Sequence, residues 1–132
     1  MNTPQYSTPQ EAVTGLIEAY RTLDVDQIVA NKDFDMDSRL FWQDLGLPIS
    51  EQQLLESRHA FEANFRKEME DGIPDYRSVS FRFDEHEQLQ ENFALISITG
   101  TTADQQTFQL KLPVFRTDNG WRVVLYPEYD HL

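Results

Sequence analysis

At Gly72 the hydrophobic period of this chain changes: before it apolar residues recur every three to four positions, and after it they alternate one by one. The first spacing puts side chains on one stripe of an α-helix, the second on one face of a β-strand. A chain that runs through its helices before its strands does not interleave them as a parallel βαβ sheet does. The order therefore predicts an α+β fold, N-terminal helices packed on a curved antiparallel sheet of at least four strands. Its 132 residues suit a single domain, 1–132, with one core.

The helix starts are written in capping residues. Thr8-Pro9-Gln10-Glu11 combines an N-cap hydroxyl, proline at the first helical position and a glutamate three residues on, which is a capping box. Ala12, Val13, Leu16, Ile17, Ala19, Tyr20 and Leu23 then give one apolar face, with Gly15 permitting a close approach. Asp24 is the expected N-cap of a short second helix ending near Asn31-Lys32. From Asp33 to Asp37 acids alternate with Phe34 and Met36, and the pattern predicts a turn followed by a helix from Asp37 or Ser38 to Leu45, stopped by Gly46. Ser50-Glu51-Gln52-Gln53 opens the longest helix, to about Asp71, whose stripe of Leu54, Phe61, Phe65 and Met69 is expected to lie across the sheet.

Beyond Gly72, Val79, Phe81 and Phe83 share one face of a strand over 75–84, and Asp84-Glu85-His86-Glu87 reads as a connection. The stretch Leu89 to Thr99 is apolar on both faces, as in a central strand. Phe108, Leu110, Leu112 and Val114 alternate in a third, where Pro113 indicates a bulge or an unpaired edge position. Asp118-Asn119-Gly120 is a hairpin signal leading to Trp121, Val123 and Leu125.

Charge narrows the partners. Lys and Arg number 11 against 23 Asp and Glu, a net charge of −12, which repels phosphate backbones and argues against nucleic acid. Residues 1–75 hold 15 acids and 6 bases, a net of −9, and residues 76–132 hold 8 and 5, a net of −3. No apolar run is long enough to span a membrane, no basic-then-apolar leader opens the chain, and cysteine is absent. The expectation is a cytoplasmic protein without membrane partners.

The helix from Thr8, the short second helix, the long helix from Ser50 and a sheet closing on Asp118-Asn119-Gly120-Trp121-Arg122-Val123 together resemble the nuclear-transport-factor-2-like (NTF2-like) superfamily. That resemblance implies a sheet wrapped into a cone whose open end holds a ligand pocket, a catalytic dyad, a partner or nothing. Within it, Val29-Ala30-Asn31-Lys32-Asp33-Phe34-Asp35 and Gly72-Ile73-Pro74-Asp75-Tyr76 look like the bacterial NTF2-fold immunity proteins. The implied function is neutralisation of a cognate toxin by direct binding.

The chemical readings are thinner. Asp33, Asp35, Asp37 and Asp44 have a calcium-loop flavour, but Ser38 replaces the loop glycine and the terminal acid is Asp, so no metal is expected. His59, His86 and His131 lack ligand spacing, and no cofactor is expected. A SnoaL or ketosteroid-isomerase-like pocket enzyme, or a small-ligand binder, is the alternative. It would draw on Tyr20, Asp26, His59 and Tyr126, each of which has a stronger structural reading as cap, stripe or strand end. Arg58, between Leu54 and Phe61, is either a cation with a packed stem and its head in water or on a carboxylate, or a pocket cation for an anionic ligand. No catalytic residue is assigned. The partner-binding residues are expected to be Asp24, Asp26, Asp33, Asp35, Asp37 and Asp44, solvated caps and turns facing a basic toxin domain. Trp42, with Phe41, is the candidate aromatic anchor unless the two close one end of the core. A homodimer is a further possibility for the partner.

Overall fold

The computed structural model describes residues 5–124. Four helices, α1 (Pro9–Arg21), α2 (Val25–Ala30), α3 (Phe34–Leu45) and α4 (Glu51–Glu70), precede four strands, β1 (Ser80–Gln90), β2 (Phe93–Thr101), β3 (Thr107–Thr117) and β4 (Gly120–Val123). The strands form one antiparallel sheet in the order of the chain. Leu125, Tyr126 and His131 lie outside the described residues.

The caps act where the sequence puts them. Thr8 Oγ1 accepts from the Glu11 amide at 3.1 Å, although the Glu11 carboxylate reaches Ser7 N, at 3.0 Å, instead of closing the box on Thr8. The Asp24 carboxylate accepts from Asp26 N at 3.0 Å. The Ser50–Gln53 box is complete, at 3.1 and 2.9 Å. Gly46 ends α3 with φ of 69°, in the left-handed region where a Cβ is penalised.

Two local expectations need correction. The first concerns α3, which starts at Phe34, not at Asp37 or Ser38. Asp33 is its N-cap and accepts from Met36 N at 2.9 Å, and Asp35 and Asp37 occupy the first turn, where the helix dipole favours negative charge. Asp37 is only 1% exposed, so it is a core residue and not a solvated turn. The second concerns β1, which runs straight through Asp84–Glu87. Asp84 is an extra residue between the pairs Phe83–Ile98 and Glu85–Ser97, and Leu89 is a second between Gln88–Ala94 and Gln90–Phe93. Such bulges shift the alternation, which is why a strand looked like a connection. The second strand accordingly begins at Phe93.

The core also differs in which helix covers the sheet. The helix lying directly on β2, β3 and β4 is α1, whereas α4 packs chiefly along α3 and against α2. Ala12, Val13, Leu16 and Ala19 of α1 join Ile28, Ala94, Ile96, Ile98, Val114, Trp121 and Val123 in one cluster. Burying each Val or Ile side chain contributes about 1.5–3 kcal/mol. From α4, Leu54 and Phe65 are buried, the Phe65 ring lying 5.6 Å from that of Phe34, while Phe61 and Met69 are half-buried. A Cβ on Gly15 would sit 2.0 Å from the Tyr6 hydroxyl oxygen, so the close approach read from that glycine is real. β2 is internal, as its two apolar faces require. β4 pairs only with Val114–Thr117, and Pro113 stands where that pairing stops, its carbonyl accepting from Val124 N at 3.0 Å. At the other side of the sheet, β1 is exposed along almost its whole length, and Phe83 and Leu89 show their rings and methyls to solvent.

Candidate protein-binding surface

The turn between α3 and α4 concentrates exposed apolar surface. The left-handed Gly46 swings the chain out of α3, Pro48 prevents its return, and Ser50 restarts a helix. Leu45 and Leu47 flank that glycine at 50% and 55% exposure. Leu55, in the second turn of α4, is 42% exposed although its neighbour Leu54 is buried, because successive helical residues point about 100° apart. These three account for most of the exposed large hydrophobic side chains among the described residues.

Trp42 gives the corner a rigid feature. Its indole N–H donates to Ser57 Oγ at 3.1 Å, and its ring packs edge-on against Phe41 at 5.6 Å, which packs in turn on Phe61 at 5.6 Å. Trp42, Leu47 and Ile49 line a groove of about 380 Å³, and Leu55 lines an adjoining one of about 310 Å³, the two sharing Glu51 and Leu54. Asp44, Glu51 and Glu56, all exposed, carry the acid at this end of the helices. An apolar centre with a charged rim is the usual anatomy of a protein-docking patch.

The structure gathers only part of the expected acidic set here. Asp44 and Trp42 belong to the corner. Asp33 and Asp35 stand at the far end of α3, a 12-residue helix about 18 Å long, and Asp35 pairs with Arg39 at 2.7 Å. Asp24 caps α2, and Asp26 pairs with Arg66 at 2.8 Å near the other end of α4. Asp37 is buried next to Lys32, whose amine burial pushes down to about 8 while the Asp37 charge raises it. Sequence reasoning missed Leu45, Leu47 and Leu55. Their signal was available, since leucines beside a glycine stop have no helix face left to bury them.

The pieces of an enzyme do not converge. Tyr20 packs edge-on against Tyr76 at 5.5 Å and is pushed up to about 12 by burial. Asp26 and His59 are exposed. Arg77 holds Asp75 down at about 2, and Thr99 and Arg82 hold Asp84 low as well, the opposite of what a general base at neutral pH needs. The inner face of the sheet is filled by Val13, Ile28, Ile96, Ile98, Val114 and Val123, none more than 1% exposed. A cavity of about 530 Å³ does exist, but its walls carry the charged residues Lys32, Arg58 and Arg122.

No known sequence family matches the chain, and no curated protein is similar to it in sequence. Solved structures are. A phospholipid-binding protein from Ralstonia solanacearum, in complex with a phospholipid, superposes with a TM-score of 0.60 at 13% identity, over 87% of this chain and 72% of that one. A Campylobacter jejuni protein described as an NTF2-like transpeptidase gives a TM-score of 0.50 at 13% identity, over 90% of this chain and 99% of that one. At such identities the likeness is one of fold: helices followed by an open four-stranded antiparallel sheet, the NTF2-like α+β cone.

Proposed function

We propose that this NTF2-like chain is a non-enzymatic binding protein of the immunity type, which neutralises a basic toxin domain by docking it on the α3–α4 corner. The observation that carries the reading is the exposed Leu45, Leu47 and Leu55 cluster around the anchored Trp42, with acid at its rim. Apolar groups buried at the centre of an interface supply most of its affinity, and a charged surround supplies specificity and on-rate. The net charge of −12 attracts a cationic partner from a distance. Asp24, Asp26, Asp33 and Asp35 contribute to that steering field, and Asp44 acts at the contact itself. No described helix is long and apolar enough to cross a membrane, and action in the cytoplasm is part of the proposal.

The competing reading, a cone-pocket enzyme or small-ligand binder, draws support from the phospholipid complex of the Ralstonia protein. Here the interior of the cone is packed with aliphatic side chains, and that favours a surface function. The decisive experiment expresses the chain with candidate toxin domains from neighbouring reading frames and measures rescue of growth. Leu47→Asp and Leu55→Asp should each abolish rescue while leaving the circular dichroism spectrum unchanged. Asp44→Lys should slow association, and so should added salt, because steering is screened. Full protection by the folded Leu47→Asp/Leu55→Asp protein would sink the assignment of this surface, and turnover of a small carbonyl substrate would promote the enzyme reading.

A further inference from the structure

The segment from Val29 to Asp35 is heavily anchored, and the docking corner does not explain why. Arg122, 1% exposed, donates from Nη1 to the Ala30 carbonyl at 2.6 Å. Asn31 is buried, receives the Tyr6 hydroxyl hydrogen bond, and donates to Gln27 O at 2.9 Å. A backbone bridge joins Lys32 to Val123, and Asp33 caps α3. The segment so fixed forms one wall of the 530 Å³ cavity, whose other walls are α4 at Arg58 and Glu62 and the β3–β4 turn at 117–119.

Three cations line this cavity in a protein of net charge −12. Four carboxylates line it too, and three of them are engaged. Asp35 pairs with Arg39, and Glu62 with Arg66 at 3.1 Å. Asp33 accepts from Met36 N and directs its charge at Arg122. Asp118 stands exposed on the hairpin turn, where water screens it. Arg58 is different: it is half-buried on α4, and no hydrogen bond or ion pair ties its guanidinium to another described residue. A guanidinium presents a planar fork of donors matched to two oxygens of a carboxylate or phosphate, and in a recess it is screened less than at the surface.

We infer that this cavity binds the anionic group, a phosphate or carboxylate, of a small ligand, with Arg58 as the direct donor and Lys32 and Arg122 as a positive floor. The site is separate from the docking corner, and either survives failure of the other. The group can arrive on a soluble molecule or on a lipid headgroup, and the test distinguishes them.

The ¹⁵N-labelled protein is titrated at constant ionic strength with inorganic phosphate, with acetate, and with phosphatidylcholine vesicles with and without phosphatidic acid. Saturable shifts should appear in the Arg58 Nε–Hε signal and in the amides of 30–35 and 117–119 and should vanish in Arg58→Gln, whose dispersed spectrum certifies its fold. Asp118→Asn should tighten binding by removing a repelling charge. A response to phosphatidic acid vesicles alone, lost in Arg58→Gln, supports the lipid source. The inference is overturned if Arg58→Gln binds like the wild type, if shifts rise linearly and equally at the exposed Arg77, Arg82 and Arg116, or if all the probes are silent.

Discussion

Replacing Asp37 with alanine leaves the ammonium of Lys32 without its nearby compensating charge inside the protein. Both residues are buried, Asp37 at 1% and Lys32 at 7% exposure, and the Lys32 amine lies 5.2 Å from the centre of the Phe65 ring. Breaking a buried pair by deleting one partner costs about 3–5 kcal/mol, a large share of the roughly 5–15 kcal/mol that holds a domain of this size. The pH dependence has a definite sign. Burial lowers the Lys32 amine from 10.5 to about 8, so between those values the unfolded chain binds the extra proton and stability rises with pH. Without Asp37 the folded amine loses its proton still earlier, so the deficit of Asp37→Ala should be largest at pH 7 and shrink by pH 9. Lys32→Met/Asp37→Ala should recover most of the loss, since two apolar groups in place of a buried pair are close to neutral. Urea unfolding followed by tryptophan fluorescence at both pH values measures this. A single variant within about 1 kcal/mol of wild type at pH 7, or a double variant no better than the single one, would refute the reasoning.

Gly120→Ala should lower the melting temperature, with a cost above about 1 kcal/mol, because Gly120 has φ of 87° and an added Cβ would meet the Tyr6 carbonyl oxygen at 2.7 Å. Gly46→Asn, at φ of 69° in open space, should be nearly silent in the same assay, as Asn tolerates that conformation. Phe61→Ala should cost about 2 kcal/mol, short of the ~3–5 of a fully buried phenylalanine, since its ring is half-buried; an unchanged melting temperature would remove it from the core margin. Millimolar calcium should give no saturable calorimetric isotherm, because Asp33 caps a helix and Asp35 holds Arg39. One strong site that disappears in Asp35→Ala would reverse that expectation.

What was legible in the sequence was local. Thr8, Asp24, Ser50 and Gly46 mark helix ends through bonds made within three or four residues, so their chemistry is written beside their position. The start of α3 was misread because Asp33-Phe34-Asp35-Met36-Asp37 alternates like a strand edge or turn, and only the fold shows Asp37 pointing inward toward Lys32. β1 was cut short because two bulges reset its alternation and its exposed faces are as polar as a loop. The choice between α1 and α4 as the helix on the sheet is a tertiary matter, since both stripes are apolar enough. The cavity at Arg58 was beyond reach for the same reason. Its walls come from 29–35, 58–62 and 117–122, and no window of sequence contains them together.

The long outer strand β1 has a consequence for how this protein behaves in acid. Among the described residues its outer edge pairs with no other strand, and Phe83 and Leu89 lie bare on it, the ingredients of ordered stacking into fibres. What opposes that is the two kinks in the strand and the mutual repulsion of Asp84, Glu85 and Glu87 when two such edges meet. Asp84, placed at one kink, is held below the ordinary carboxylate range by the Thr99 hydroxyl and by Arg82, so the edge keeps a charge well into the acid range. Storage or purification near pH 4, about where free carboxylates are half protonated, therefore brings the molecule to the margin of fibrillisation, and Asp84→Asn should carry it across at a higher pH.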